Sequence, residues 1–168
     1  MFSPALRVSA LGLALGLLAA TGAPSGADDK KEEKKAELKV GDAAPAFAAR
    51  TDNDTTWETD GRFGKKWVVI YFYPGDFTPG CTAQAKAFNA AMDKLTEKGV
   101  EVVGVSGDSV QTHELFKKAQ KLNFTLLADA DGAIAKKYGV PFGAGETFTA
   151  QDALGQPIAL TRAGIAAR

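Results

Sequence analysis

Cys81 is the residue of this sequence whose surroundings are best suited to chemistry. It follows an uncharged apolar run, residues 67–73 (WVVIYFY), and a segment broken twice by Pro and Gly, residues 74–80 (PGDFTPG). A helix is predicted to begin beside it, and the N–H groups and positive dipole end of a helix N-terminus favour an anion. A thiol placed there loses its proton more readily, and the thiolate is the nucleophile. The position indicates a reactive cysteine; a buried structural cysteine is the alternative.

Two neighbours of Cys81 fit the same chemistry. Residues 74–81 follow the pattern P-x-x-x-T-x-x-C. Thr78 can direct its hydroxyl into the pocket of the thiol, and Pro74, which has no N–H, can shield one side of the sulfur from water. Nucleophilic attack needs aligned reactants and hydrogen-bond donors for the leaving atom. The pattern therefore predicts that Pro74, Thr78 and Cys81 form one site.

The counts of reactive side chains exclude most other chemistries. The 168 residues contain one Cys and one His. One Cys cannot form an intrachain disulfide, a CxxC redox pair or a cysteine-rich zinc site, and one His cannot build a multi-histidine metal centre. Because 20 Lys and Arg balance 20 Asp and Glu, a broad basic surface is not expected. We therefore predict no metal ion, no cofactor and no nucleic-acid partner.

Alternating strands and helices must position the site. The predicted strands cover residues 67–73, 100–105 and 124–128, and a helix follows each of them. This order favours an α/β domain with a parallel sheet. Because residues 67–73 carry no charge, we predict a strand buried on both faces. After Pro141 the sequence reads as loop, with at most a brief strand at 158–161.

Several side chains on the predicted helices are expected to serve the fold rather than the chemistry. Phe88, Met92 and Leu95 have the spacing of one apolar stripe and are predicted to face the core. Asp108 or Ser109 is predicted to cap the second helix. We interpret His113, in the first turn of that helix, as a structural or surface residue, because no partner for general-base work is evident in the sequence.

The first 37 residues read as targeting and linker segments. Residues 8–20 form a Leu/Ala/Gly run of the length of a signal-peptide core, and small residues at 25–27 offer a cleavage site. Residues 28–37 are nearly all charged and predict a solvated linker. We expect a signal peptide at 1–27, a linker at 28–37 and the folded domain at 38–168. The protein is then exported, periplasmic or secreted, without stable membrane insertion; an uncleaved membrane anchor is the alternative.

The segment YFYPGDFTPGCTAQA, residues 71–85, resembles the active-site segment of the peroxiredoxins, and most closely that of the bacterioferritin-comigratory or Q-type branch. Residues 38–47, 100–129 and 133–140 are similar to the same branch, in the same order. The resemblance implies a thioredoxin-like fold of the peroxiredoxin type. It also implies thiol-dependent reduction of hydrogen peroxide or organic hydroperoxides.

The resemblance also implies the role of each site residue. Cys81 is the peroxidatic cysteine, which attacks the terminal peroxide oxygen as the thiolate. Thr78 hydrogen-bonds the peroxide and the thiolate, and Pro74 covers the sulfur. An arginine from a later strand stabilises the thiolate and the developing charge; Arg168 matches its place in the family better than Arg162, the other candidate.

The sequence departs from the Q-type pattern in two ways. Lys86 stands where many members of the branch carry a resolving cysteine. This departure implies a one-cysteine cycle in which a thioredoxin-like protein or a small thiol reduces the sulfenic acid. Arg168 is also the last residue of the sequence, so we expect a domain that is incomplete at its C-terminal strands and weakly active or inactive. We expect the protein to be a monomer or a weak dimer.

Two other functions are alternatives to the peroxidase. One is a thioredoxin-like binding domain whose catalysis is impaired. The other is an exported thiol–disulfide oxidoreductase, which the missing CxxC pair disfavours.

Overall fold

A computed structural model describes residues 38–166 of the chain. The predicted signal peptide (1–27), the charged linker (28–37) and Arg168 lie outside the described residues. The helices and strands, in chain order, are β1 (Ala48–Thr51), β2 (Thr56–Glu58), β3 (Trp67–Phe72), α1 (Pro79–Glu97), β4 (Val100–Ser106), α2 (Val110–Gln120), β5 (Thr125–Ala128), α3 (Ala133–Lys137), β6 (Phe142–Gln151) and β7 (Pro157–Ala166). None of the described helices is long and apolar enough to cross a membrane.

Five strands form the main sheet in the order β2-β1-β5-β4-β3. The predicted parallel arrangement is confirmed for β3, β4 and β5. The sheet is nevertheless mixed, because β1 runs antiparallel to both β5 and β2. Sequence reasoning missed β2, since residues 51–66 are polar and rich in turn signals. Both parallel connections pass through a helix, so the carboxyl ends of β3 and β4 lie at the same edge of the sheet.

The core forms two clusters, separated by the sheet. Because successive side chains of a strand point to opposite faces, Val102 and Val103 on β4 belong to different clusters. Cys81 lies in the Val102 cluster, together with residues of α1 and α2. The predicted stripe on α1 is confirmed, since Phe88, Met92 and Leu95 pack against this cluster.

The position of β3 differs from the prediction. It is the edge strand of the five-stranded sheet, and within the described residues no strand pairs with its outer side. Trp67 is 78% exposed, and the side chains of residues 68–72 are only half-buried. Both faces of β3 nevertheless pack against the core, since its alternate side chains contact the two clusters, so the prediction holds for the faces and fails only for complete burial. A run of uncharged residues reports which faces a strand packs, but it does not report whether both edges are paired.

Residues 142–166 also differ from the predicted loop. β6 and β7 form a long antiparallel hairpin, paired from Phe142↔Ala166 to Gln151↔Pro157. Its turn is held by Asp152 Oδ1, which accepts from the N–H groups of Leu154 and Gln156 at 2.8 Å. Gly145 serves close packing in this hairpin, because a Cβ there would lie 2.0 Å from the Arg162 carbonyl oxygen, whereas Gly155 lies in the turn with φ = +80°.

Glu101 on β4 binds side chains of β2 and of the segment that follows it. Its carboxylate accepts from Trp57 Nε1 at 2.7 Å and Arg62 Nε at 3.2 Å, and it pairs with Lys66. Burial opposes ionisation of Glu101, but the hydrogen bonds from Lys66 and Trp57 and the nearby cations outweigh it and lower the carboxyl pKa. A carboxyl whose pKa is lowered by folding stabilises the fold above its unfolded pKa and loses that contribution as the pH falls.

We expect Glu101→Gln to lower the free energy of unfolding by about 1 kcal/mol at neutral pH. The difference from the parent chain should shrink as the pH falls below about 4, where the unfolded carboxyl takes up its proton. Urea unfolding across this pH range measures both effects. A difference that stays constant with pH would show that the charge of Glu101 contributes nothing.

Candidate active site around Cys81

The chain enters the site at the end of β3 and leaves it on the first turn of α1. The Tyr73 N–H donates to the Val105 carbonyl at 3.1 Å, which continues the pairing of β3 with β4 by one residue. The segment 74–78 then crosses the sheet edge, and α1 begins at Pro79, with Thr78 as its N-cap. Pro79 suits a first helical position, because its missing N–H would have no partner there. Cys81 is consequently the third residue of the helix.

The first turn of α1 has neither a side-chain cap nor an acidic residue. The Thr78 hydroxyl donates to the Gly75 carbonyl at 3.1 Å, inside the preceding loop, and does not cap the helix. Backbone N–H groups and the positive end of the helix dipole therefore meet at this turn without a side-chain carboxylate to neutralise them. Such a turn is suited to stabilising a negative charge that develops on or near Cys81.

The Cys81 side chain is enclosed by the core. The residue is 3% exposed and shares its cluster with Tyr73, Ala85 and Phe116. Tyr71 lies within electrostatic range: burial raises the pKa of its hydroxyl, and the charges of Asp76 and Cys81 raise it further. Tyr71 therefore stays protonated near neutral pH and cannot serve as a base for the thiol. Its aromatic ring stacks on Tyr73 at 5.3 Å.

Asp76, in the middle of the loop, is bound through all four of its polar atoms. Its Oδ1 accepts from the Tyr73 hydroxyl at 2.7 Å, and its Oδ2 lies 2.7 Å from His113 Nδ1. Its N–H donates to Asp108 Oδ2, and its carbonyl accepts from Arg162 Nη2, each at 2.8 Å. Asp76 itself is fully buried. These four partners belong to β3, α2, the β4–α2 connection and β7.

The charges of this buried cluster compensate one another. Burial lowers the pKa of His113, but the charge and hydrogen bond of Asp76 and the charge of Asp108 together raise it above the ordinary value. Burial and the charge of Asp76 raise the pKa of Asp108, against the opposing effects of Arg162 and Ser106. Burial and Asp76 also raise the pKa of Tyr73, so its hydroxyl remains a donor.

Arg162 reaches the loop from β7. Its side chain is buried, with Nε 3.3 Å from Asp108 Oδ1 and Nη1 3.4 Å from Glu146. The guanidinium also lies 4.1 Å from the ring centroid of Phe148. A Cβ on Gly75 would meet Nη1 at 2.2 Å, so this position accepts only glycine while Arg162 stays in place. A cation is therefore packed directly against the loop that leads to Cys81.

The three residues that the pattern predicted lie on one continuous segment, the loop 74–78 and the first turn of α1. Pro74 is half-buried at the start of the loop, Thr78 ends the loop, and Cys81 follows on the helix. Arg168, the favoured arginine, lies outside the described residues and stays a prediction. Arg162, the alternative, is the arginine that the structure places against the loop.

Lys86, which stands where many Q-type members carry a resolving cysteine, is exposed on α1, and so is its neighbour Gln84. Their side chains point away from the core, as expected of solvated helix positions. Within the part of the chain that the structure describes, no group of three or more His, Cys, Asp or Glu side chains is placed to hold a metal ion.

Sequence reasoning missed the cluster beneath the loop. Asp76 was not singled out. Of the two residues predicted to cap α2, Asp108 does not do so, because its carboxylate binds the Asp76 N–H and the Ser106 hydroxyl. Ser109 is the N-cap, since its hydroxyl oxygen accepts from the Thr112 N–H. The surface interpretation of His113 was also wrong, because the residue is fully buried.

One signal for the burial of His113 was present in the sequence. His113 lies three residues before Phe116, which is the spacing of one helix face, and Phe116 is apolar. That spacing places the imidazole toward the core, although it does not identify Asp76 as its partner.

The chain is similar in sequence to a known protein family. The AhpC/TSA family matches residues 40–161. A putative chloroplastic peroxiredoxin Q of Oryza sativa subsp. indica is 48% identical over 101 residues, which are 60% of this chain and 46% of that protein. The chain spans about half the length of the chloroplastic relatives that it matches.

Two solved structures are similar to the fold. The peroxidoxin BcpB of Mycobacterium tuberculosis has a TM-score of 0.59 and 27% identity, over 77% of this chain and 79% of that one. A yeast mitochondrial 1-Cys peroxiredoxin, described with a thiol resolving mechanism via glutathione/thioredoxin systems, has a TM-score of 0.57 and 27% identity, over 62% of this chain and 52% of that one. These similarities confirm the expected thioredoxin-like fold of the peroxiredoxin type.

Proposed function

Because this chain belongs to the AhpC/TSA family and is of the peroxiredoxin Q type, we propose that it is a thiol-dependent peroxidase acting through Cys81. The substrate is hydrogen peroxide or an organic hydroperoxide. One observation carries the proposal: Cys81 lies on the first turn of α1, directly after the Thr78-containing loop, where no acidic side chain or side-chain cap occupies the helix N-terminus.

The first half of the reaction transfers one oxygen atom. The Cys81 thiolate attacks the terminal oxygen of the peroxide, so that an S–O bond forms while the O–O bond breaks. Sulfur is oxidised to the sulfenic acid, and the other oxygen leaves as water or an alcohol after taking up a proton. The Thr78 hydroxyl, which donates to Gly75 at rest, is near enough in sequence to turn toward the bound peroxide. The uncapped first turn of α1 favours the negative charge that develops on the departing oxygen.

The second half of the reaction restores the thiol. A first external thiol condenses with the sulfenic acid to form a mixed disulfide and water, and a second thiol releases Cys81. The sequence contains one Cys, and Lys86 is exposed at the position where many Q-type members resolve internally. We therefore propose a one-cysteine cycle with an external reductant, as described for the similar yeast protein. Residues 8–20 support export of the protein, which we propose as its location.

Two arginines are candidates for the cation that stabilises the anionic groups of the site. Arg168 matches the place of the arginine in the family, and Arg162 has the contacts with the loop. Arg162 Nη2 binds the Asp76 carbonyl, two residues before Thr78, so its charge acts on the loop even where it does not touch the substrate. Separate variants of the two residues distinguish these roles.

Trapping the sulfenic acid tests the proposed function. One equivalent of hydrogen peroxide, added to the reduced full chain in the presence of dimedone, should label Cys81 and no other residue. Intact-mass and peptide mass spectrometry detect the adduct after a single turnover, so the result does not depend on the choice of reductant. Dithiothreitol and excess peroxide then measure steady-state consumption.

The matched control is Cys81→Ser, which should give no adduct and no peroxide consumption above buffer. A binding domain would leave Cys81 unlabelled and the peroxide unconsumed. Insulin reduction without peroxide consumption would indicate a thiol–disulfide oxidoreductase instead.

A further inference from the structure

We propose that His113 is a positioning residue for this reaction, acting through Asp76 to hold the loop that carries Thr78 and leads into Cys81. The inference rests on the proposed peroxidase function and extends it to a group that does not touch the substrate. His113 lies on α2, and its contact with Asp76 joins that helix to the loop.

The loop needs such a support because its backbone is strained. Phe77, directly after Asp76, has φ = +60°, a left-handed conformation that a bulky residue rarely adopts. A residue held in this region persists only where its surroundings determine its position. The Phe77 ring packs edge-on against Phe116 of α2, with the ring centroids 5.1 Å apart. Asp76 on one side and the Phe116 contact together hold Phe77, and Thr78 follows immediately.

His113 is the support of Asp76 that reaches the carboxylate from α2, and the carboxylates near it raise the pKa of its imidazole, which favours the charged form. An ionised carboxylate only accepts hydrogen bonds, so His113 Nδ1, 2.7 Å away, must carry the proton. The second carboxylate oxygen receives the Tyr73 hydroxyl. Both side chains are fully buried, and an uncompensated charge at such a position is unfavourable. Without the imidazole, Asp76 must therefore take up a proton or move toward water, and either change displaces the loop.

Several segments supply the charged and titratable groups around His113, and β5 adds a hydrogen bond through the Leu127 backbone. Asp76 belongs to the loop, Tyr73 to the end of β3, and Asp108 to the connection before α2. Arg162 of β7 contacts both Asp108 and the Asp76 carbonyl. The carboxylates raise the pKa of His113, so its stabilising contribution is complete below the unfolded value and is lost as the pH rises through the folded one.

Two substitutions at this position separate positioning from packing. His113→Phe keeps a ring of similar shape and removes the donor, whereas His113→Asn keeps an N–H near the position of Nδ1. The measured quantity is the second-order rate constant for oxidation of Cys81 by hydrogen peroxide, followed by dimedone labelling from pH 5 to 9. We expect about a tenfold decrease or more for His113→Phe and recovery of most of the rate in His113→Asn.

The pH dependence of the Cys81 oxidation rate distinguishes positioning from packing, because a residue that only packs in the core would not change it. In the parent chain the rate should lose part of its value over the pH range in which His113 loses its proton, and His113→Asn should lack this step. Because the chain has one His, a single imidazole resonance in the NMR spectrum reports the titration. Asp76→Asn should shift that titration to lower pH.

Two further variants test the role of His113 even if His113→Phe folds poorly. Tyr73→Phe removes the other side-chain donor to the Asp76 carboxylate, together with a 3.5 Å contact to His113 Nδ1, and should also lower the rate. Trp57→Phe, which removes a hydrogen bond to Glu101 in the other core cluster, should leave the rate unchanged.

Alkylation of Cys81 by iodoacetamide distinguishes the two proposals, because it requires the thiol but no peroxide chemistry. If His113→Phe alkylates more slowly than the parent chain, and neither of them reacts with peroxide, the positioning role is supported and the peroxidase function is contradicted. Equal peroxide rates and identical pH profiles in the parent chain, His113→Phe and Tyr73→Phe would overturn the positioning role.

Discussion

Replacing Arg162 by glutamine is expected to lower the free energy of unfolding by about 3 to 5 kcal/mol and to slow oxidation of Cys81 by peroxide about 10²-fold. Arg162 is 2% exposed, and its guanidinium compensates the charge of Asp108 and binds the Asp76 carbonyl. Glutamine leaves Asp108 without a cation, and removing one partner of a buried ion pair leaves an uncompensated charge. Asp76, in the loop, then loses one of its four partners. Misplacement of reacting groups by about 1 Å lowers rates about 10²-fold.

Urea unfolding and the dimedone rate measure the two effects on the same sample. Arg162→Lys is the matched control: it keeps the charge but not the planar fork, so it should recover part of the stability and little of the rate. Arg168→Gln completes the comparison. A loss of rate in Arg168→Gln without loss of stability, beside an unchanged rate in Arg162→Gln, would assign the family arginine to Arg168 and exclude a role for Arg162 at the loop.

Replacing Phe116 by alanine is expected to lower the free energy of unfolding by a similar amount, about 3 to 5 kcal/mol. Phe116 is completely buried in the cluster that contains Cys81, and its ring supports the ring of Phe77. The substitution removes buried apolar surface and leaves a cavity beneath the strained residue of the loop. We therefore expect Cys81 to react more slowly with peroxide as well.

Phe124→Ala is the matched control for this effect. Phe124 belongs to the same cluster, but its ring contacts are with Tyr71 and Phe88 rather than with Phe77. The two variants should lose comparable stability in urea unfolding, whereas only Phe116→Ala should lose the rate of Cys81 oxidation. Equal rates in the two variants would mean that Phe116 contributes packing alone.

Much of the site followed from local sequence. The break at residues 74–80 after an apolar strand, and the helix that begins at Pro79, place Thr78 and Cys81 within one turn of each other. Strand ends, Pro/Gly breaks and helix starts depend on residues that are close in the chain, and these signals are readable without the fold. The stripe of Phe88, Met92 and Leu95 was predicted for the same reason.

The errors concern contacts between distant residues. The edge position of β3 depends on which strands lie beside it, and the hairpin of β6 and β7 depends on pairing between residues such as Phe142 and Ala166. Glycines at 143, 145 and 155 are compatible with a loop and with close strand packing alike. Composition reports local preference, whereas strand pairing is decided by partners elsewhere in the sequence.

The sequence by itself supplied the proposed nucleophile, its neighbours in the P-x-x-x-T-x-x-C pattern and the expectation of an outside reductant, because that pattern and the one Cys of the given sequence can be read without the fold. Only the tertiary structure decided what holds that segment in place. The partners of Asp76 are separated from it by up to 86 residues, in the case of Arg162. A buried carboxylate needs compensating donors wherever the fold can supply them, and no local pattern states which residues those are.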